Sequence, residues 1–244
     1  MKLLIFSGTT EGRKLSRLLA DRGAEVTVSV ATDYGREEQG EYPGIQVLTG
    51  RLDQEAMEAL LPGFDLCIDA THPYAVEATR TIRAACAAAN VPYRRLLRSS
   101  GGEAQGIYVD SASQAAAYLA CREGAVLLTT GAKELPAFSG LDPRRLYPRV
   151  LPTHEGLSAC EAIGIPHRNI LAMQGPFSQE LNEALLHQYH IDFLVTKDGG
   201  LTGGFPEKIR ATQAVGVLPI IIHRPQEDGL SFEAILTQCE EMIL

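Results

Sequence analysis

Three stretches of this chain end a short apolar run in a loop of small, hydroxylated and charged residues. They are KLLIFSGTTEGR (residues 2–13), AVLLTTGAKE (125–134) and DFLVTKDGGLTGGFPEK (192–208). In an open parallel α/β sheet, ligands sit at the carboxyl ends of the strands. In the first stretch, Gly8 permits a tight turn and close approach of a ligand. The N-terminus of a following helix offers N–H groups and partial positive charge to a phosphate, and Ser7, Thr9 and Thr10 bring hydroxyls. The dinucleotide spacing G-x-G-x-x-G is not met, because Ser7 and Thr9 stand at two of its glycine positions. The competing reading is that Gly8 and Gly12 only turn the chain and let the helix pack. Glu11 would repel a pyrophosphate, so it caps the helix or accepts from a ribose hydroxyl or an amide. Asp33 is placed to accept from a ribose hydroxyl, as NADH requires, and Arg36 to pair with the 2′-phosphate of NADPH. A solvated loop is the alternative for both.

The segment DATHPYA (69–75) supplies another polar strand end. Its His72 and Tyr74 are candidate proton donors, and Thr71 or His72 can equally cap a helix beside Pro73. Arg94 and Arg98 share one face of a strand and Arg95 points the other way. The alternative for these arginines is a solvated sheet edge. Lys133, Lys197, Lys208 and Arg224 fall at or near strand ends, where cations would hold an anionic ligand. Lys197, directly after a buried run, is the strongest functional candidate among them.

The elements that must position these residues are legible as alternation. Apolar runs at 3–6, 25–31, 45–48, 66–70, 93–97, 126–130, 170–174, 193–196 and 219–223 read as strands buried on both faces. Helical patterns at 10–22, 54–61, 73–89, 113–122, 153–163, 178–187, 205–215 and 232–242 lie between them. Alternating strands and helices imply α/β architecture with parallel sheets. We expect two Rossmann-like domains, 1–115 and 116–244, with the active-site cleft between them. The Ser99–Glu103 stretch SSGGE reads as the clearest flexible break.

Composition narrows the function. A net charge of −8 argues against general nucleic-acid binding, and no run approaches the roughly 18 apolar residues of a membrane span. The initial apolar run stops at Ser7, too short for a signal core. Five scattered cysteines without a CxxC pair suit a reducing cytoplasm rather than a disulfide frame or a zinc site. His187 and His190 lack partners for a metal, so no metal is expected. No apolar stripe demands a partner chain, and a monomer or weak homo-oligomer is expected.

The ordered motifs SGTTEGR, DATHPYA, LLTTGAKELPAF, QGPFSQELN and TKDGGLTGGFPEK resemble the precorrin-6A reductase family, cobalt-precorrin-6A reductases included, over residues 3–225. Ser7-Gly8 and Asp198-Gly199-Gly200 depart from that pattern by small residues, and Ser99-Ser100 replaces an aromatic residue after Arg98. The resemblance implies NAD(P)H-dependent reduction of a carbon–carbon double bond of an anionic tetrapyrrole in cobalamin biosynthesis, with NADPH as cofactor and NADH as the alternative. It implies dinucleotide contacts at Ser7, Gly8, Thr9 and Thr10, and lining contacts at Thr130, Gly131, Ala132 and Lys133. Further contacts to cofactor or substrate fall at Lys197, Asp198, Gly203, Gly204 and Lys208. Arg94 and Arg98 would hold substrate carboxylates, and His72, Tyr74 and Lys197 would serve the chemistry. A nucleotide-linked transferase and a non-catalytic dinucleotide sensor are the rival readings.

Overall fold

A computed structural model describes residues 1–97, 104–200, 204–225 and 227–243. The chain divides into two compact units, Met1–Ser99 with Pro225–Leu244, and Ser100–Arg224.

The first unit opens with β1 (Lys2–Phe6), α1 (Thr10–Asp21), β2 (Glu25–Val30), α2 (Asp33–Gln39), β3 (Ile45–Thr49), α3 (Gln54–Leu60), β4 (Leu66–Asp69), α4 (Val76–Ala88) and β5 (Tyr93–Arg95). Its strands form one sheet in the order β3-β2-β1-β4-β5, with every pairing parallel. Strand β1 is apolar from Leu3 to Phe6 because both its faces are covered. Leu3 and Ile5 join a core with Leu15 and Leu19 of α1, while Leu4 and Phe6 join one with Met57, Ile82 and Cys86 from α3 and α4. The chain runs outward from β1 through β2 to β3 and then returns to β4 on the other side of β1. That reversal is the switch point at which α/β sheets bind ligands.

The second unit contains β6 (Ile107–Val109), α5 (Ala112–Ala120), β7 (Ala125–Leu128), β8 (Leu146–Val150), α6 (His154–Ala162), β9 (Leu171–Ala172), α7 (Gln179–Gln188), β10 (Ile191–Lys197), α8 (Phe205–Val215) and β11 (Leu218–Ile222). Its strand order is β6-β11-β10-β7-β8-β9, again parallel, and its reversal lies between β7 and β10.

The chain then returns to the first unit. Leu230 N donates to Arg95 O at 2.9 Å and Leu97 N to Leu230 O at 2.8 Å, which extends the β5 edge. The last helix, α9 (Phe232–Ile243), places Ile235 and Cys239 in the core beside Leu15 and Leu19, and Arg22 pairs with Glu240 across α1 and α9. The division therefore differs from the expected 1–115 and 116–244. Residues 107–109 pair with β11 and so belong to the second sheet, and α9 is needed to cover the first. The expected break at 99–103 lies outside the described residues.

Candidate functional site

At the carboxyl end of β1, Gly8 adopts φ +122°, a conformation L side chains rarely reach, in open space. Thr9 is the N-cap of α1: its Oγ1 accepts from Gly12 N at 3.0 Å and donates to Ala70 O at 2.8 Å. One hydroxyl thus caps the helix and ties the loop after β1 to the loop after β4, so the structure uses Thr9 internally. Gly12 has the packing role of a third fingerprint glycine. A Cβ there would lie 2.5 Å from Ser7 Oγ and 3.0 Å from Ala70 Cβ. Ser7 is buried, and its Oγ has no hydrogen-bond partner among the described residues. A buried hydroxyl is normally satisfied, so this atom has a hydrogen bond left to make.

Beside it lies a cavity of about 240 Å³, reaching from Ser7, Gly8, Thr9 and Thr10 to Thr32 and Tyr34 after β2, with Arg13 and Glu38 on its wall. Asp33, Arg36 and Glu11 do not line it. Thr32 caps α2 by accepting from Gly35 N at 3.0 Å, and helix α2 begins where a loop was the alternative expectation. That start leaves Asp33 and Arg36 exposed on the helix. Arg13, which sequence reasoning passed over, donates to Glu38 O and lies 3.3 Å from Glu38 Oε2. Its only signal was its place one turn into α1.

Across the switch point, the turn after β4 rests on a buried network. Asp69 Oδ1 accepts from Thr71 N at 3.0 Å, Thr71 Oγ1 at 2.7 Å and Arg95 Nη1 at 2.8 Å, and Oδ2 accepts from Tyr93 OH at 3.1 Å. Arg95 Nη1 also donates to Thr71 O at 3.0 Å, and its Nη2 to Glu227 Oε2 at 2.9 Å. Burial, and then the charge and hydrogen bond of Asp69, push the Tyr93 phenol well above its ordinary range. The inward face of β5 therefore carries the consequential arginine, to which the sequence assigned no role. Arg94 is exposed, and its Nε donates to Gln238 Oε1 of α9 at 3.2 Å. Arg98 lies outside the described residues. His72 is exposed, with its ring centroid 5.6 Å from that of Tyr74. Tyr74 N donates to His72 Nδ1 at 3.3 Å, which leaves the proton of a neutral imidazole on Nε2.

In the second unit, the switch point gathers the loop after β7 and the end of β10. Thr129 N and Oγ1 both donate to Val195 O at 2.9 Å, joining the two. Thr130 is buried and its Oγ1 has no partner among the described residues. Gly131 turns the chain at φ +85° into a 3-10 segment, Ala132–Phe138, whose Lys133 is exposed. Lys197 Nζ lies 2.7 Å from Glu134 Oε1, so the lysine arrives as an ion pair. Asp198 Oδ1 accepts from Gly200 N at 3.1 Å and faces Arg224 Nη2 at 3.5 Å. Gly204 is the left-handed N-cap of α8, and Gly203 lies outside the described residues. Lys208 is buried, with Nζ donating to Thr196 Oγ1 at 2.7 Å. Among the described residues, no group of three or more His, Cys, Asp or Glu could hold a metal ion, and no helix is long and apolar enough to cross a membrane.

A glycine turn feeding a helix at a parallel sheet's switch point is the arrangement of the Rossmann-like, dinucleotide-binding class. Comparison with known proteins narrows the class. A model of the family described as precorrin-6x reductase CbiJ/CobK matches residues 2–242. The cobalt-precorrin-6A reductase of Priestia megaterium is 32% identical over 249 residues, covering 99% of this chain and 96% of that protein. Its counterpart from Salmonella typhimurium is 36% identical over 230 residues, covering 91% and 87%. The solved structure titled CobK precorrin-6A reductase superposes with a TM-score of 0.78 at 25% identity, over 99% of this chain and 97% of that one.

The chain belongs to the precorrin-6x reductase family. It is an oxidoreductase of cobalamin biosynthesis that acts on a CH–CH group of a tetrapyrrole with a nicotinamide cofactor. The transferase and sensor readings are not favoured.

Proposed function

We propose that the chain reduces cobalt-precorrin-6A with NADPH. The observation that carries the cofactor assignment is the buried, unpartnered Ser7 Oγ beside a cavity whose wall includes Arg13. Ser7, Gly8, Thr10 and the N-terminus of α1 would hold the diphosphate. The chain continues from β2 through Ala31 and Thr32, neither of them a carboxylate to accept from the ribose of NADH, and Arg13, paired with Glu38 on the same wall, would exchange that partner for a 2′-phosphate. When bound, the reduced nicotinamide supplies the hydride. The protein's part is placement, charge and exclusion of water. The Asp69–Arg95 network fixes the turn that carries His72 and Tyr74, and His72 Nε2–H is the hydrogen-bond donor we assign to the reacting macrocycle. Thr130, Gly131, Ala132 and Lys133, with Lys197, Asp198 and Gly204, are the second unit's ligand contacts.

The cobalt form is favoured because relatives from several organisms carry the name cobalt-precorrin-6A reductase. Anaerobic kinetics with each pairing of cofactor and macrocycle test the proposal. It expects the highest kcat/KM with NADPH and the cobalt macrocycle. A preference for NADH would remove the Arg13 assignment, and a preference for the metal-free ring would remove the substrate assignment.

A further inference from the structure

Arg149 and Lys208 are buried cations with only neutral partners. Each is 8% exposed. Arg149 Nη1 donates to Asn182 Oδ1 at 2.8 Å, and its guanidinium carbon lies 4.1 Å from the centroid of the Phe177 ring. Lys208 Nζ donates to Thr196 Oγ1. Among the described residues neither cation forms an ion pair, whereas Arg95, buried more deeply still, is matched by both Asp69 and Glu227.

The sheet brings the two cations to one side. Val195 of β10 is in register with Leu128 of β7, and Leu128 with Pro148 of β8. One residue further along, Thr196 and Arg149 share a row and therefore a face. They stand two strands apart, roughly 10 Å between backbones. Lys208 reaches down to the Thr196 hydroxyl from α8, and α7, which carries Asn182, packs against α8. Burial, and then the charge of Arg149, push the Lys208 ammonium down to about 7, against opposing pulls from Glu207 and Asp198. Burial alone pushes Arg149 down to about 10. Two like charges held in a dry place, neither in an ion pair among the described residues, are unfavourable to the fold by themselves. An entering anion reverses that balance, and a guanidinium fork with an ammonium suits a carboxylate or a phosphate.

We propose that Arg149 and Lys208, braced by Asn182 and Thr196, form a binding site for an anionic oxygen group, either a carboxylate of the macrocycle or a phosphate of the dinucleotide. The choice between those two sources rests on the reductase reading; the anion site itself does not.

The test compares the intact wild-type chain with Arg149→Met and Lys208→Met. Without ligand, the variants should melt no lower than wild type, because each removes an unpaired charge. Inorganic phosphate or glutarate should raise the melting temperature of wild type and leave both variants unmoved. Variants that respond to these anions as wild type does would overturn the proposal. Should a variant fail to fold, lysine-labelled wild type gives the same answer. The Lys208 Nζ resonance should titrate at higher pH when phosphate is added, and an unmoved midpoint would count against the site. Steady-state kinetics then name the source, with a rise of about tenfold or more in KM for whichever ligand carries the anion. KM values unchanged for both macrocycle and NADPH would also overturn the proposal.

Discussion

Arg95 and Asp69 pair at 2.8 Å with side chains 1% and 0% exposed, which makes this the most enclosed charge pair among those described. The pair stands at the carboxyl end of β4, directly behind the turn that carries His72. Removing one partner would strand the other charge without solvent. Arg95→Met should therefore destabilise the protein by about 3–5 kcal/mol, read from the denaturant midpoint. Tyr93→Phe removes one neutral donor to Asp69 and should cost about 1–2 kcal/mol. Equal effects of the two substitutions would contradict the network as described.

Ser7 and Thr9 should behave oppositely although both are hydroxyl residues of one turn. Thr9→Val loses the cap of α1 and the bond to Ala70 O, and should cost about 1–2 kcal/mol. Ser7→Ala removes a buried hydroxyl without a partner, so stability should hold while the Kd for NADPH rises. The chain contains no Trp, which lets cofactor emission be followed directly. A Ser7→Ala protein that is unstable yet binds normally would reverse the assignment.

Gly8→Val places a β-branched residue at φ +122°. The strain should amount to about 1–3 kcal/mol, and the reshaped turn should weaken NADPH binding. An unchanged NADPH titration would remove the turn from the cofactor site.

Lys208 gives stability a defined pH dependence. Its folded value, about 7, lies below the ordinary lysine value of 10.5, so the unfolded chain binds more protons between those limits. Stability relative to Lys208→Met should rise as pH increases from about 7 towards 10, and should be flat below 7. Urea midpoints of both proteins across that range measure it. A slope of the opposite sign would mean that an acidic partner holds the lysine charged.

The sequence shows the fold through its apolar runs, because strands covered on both faces need no alternation. Strand β8 escaped for the reason that makes it interesting. Leu146–Val150 contains Pro148 and Arg149, which interrupt the apolar run, and the arginine's burial is a tertiary fact. Helix α9 was visible as a helix, but which sheet it covers depends on Ile235 and Cys239 meeting Leu15 and Leu19. At the candidate site, Ser7 and Gly8 were legible as a candidate because a glycine turn before a helix either cradles a ligand or simply turns the chain. Arg13, Arg95 and Arg149 were not, since a cation's role depends on what faces it. Lys197 was legible as a strand-end lysine, and its pairing with Glu134 was not.

Turnover tests the central claim most directly. Anaerobic incubation of the purified chain with cobalt-precorrin-6A and NADPH should oxidise one cofactor per macrocycle and yield a product heavier by two hydrogens. Cofactor that stays reduced while active enzyme of another source consumes the same substrate would contradict the account.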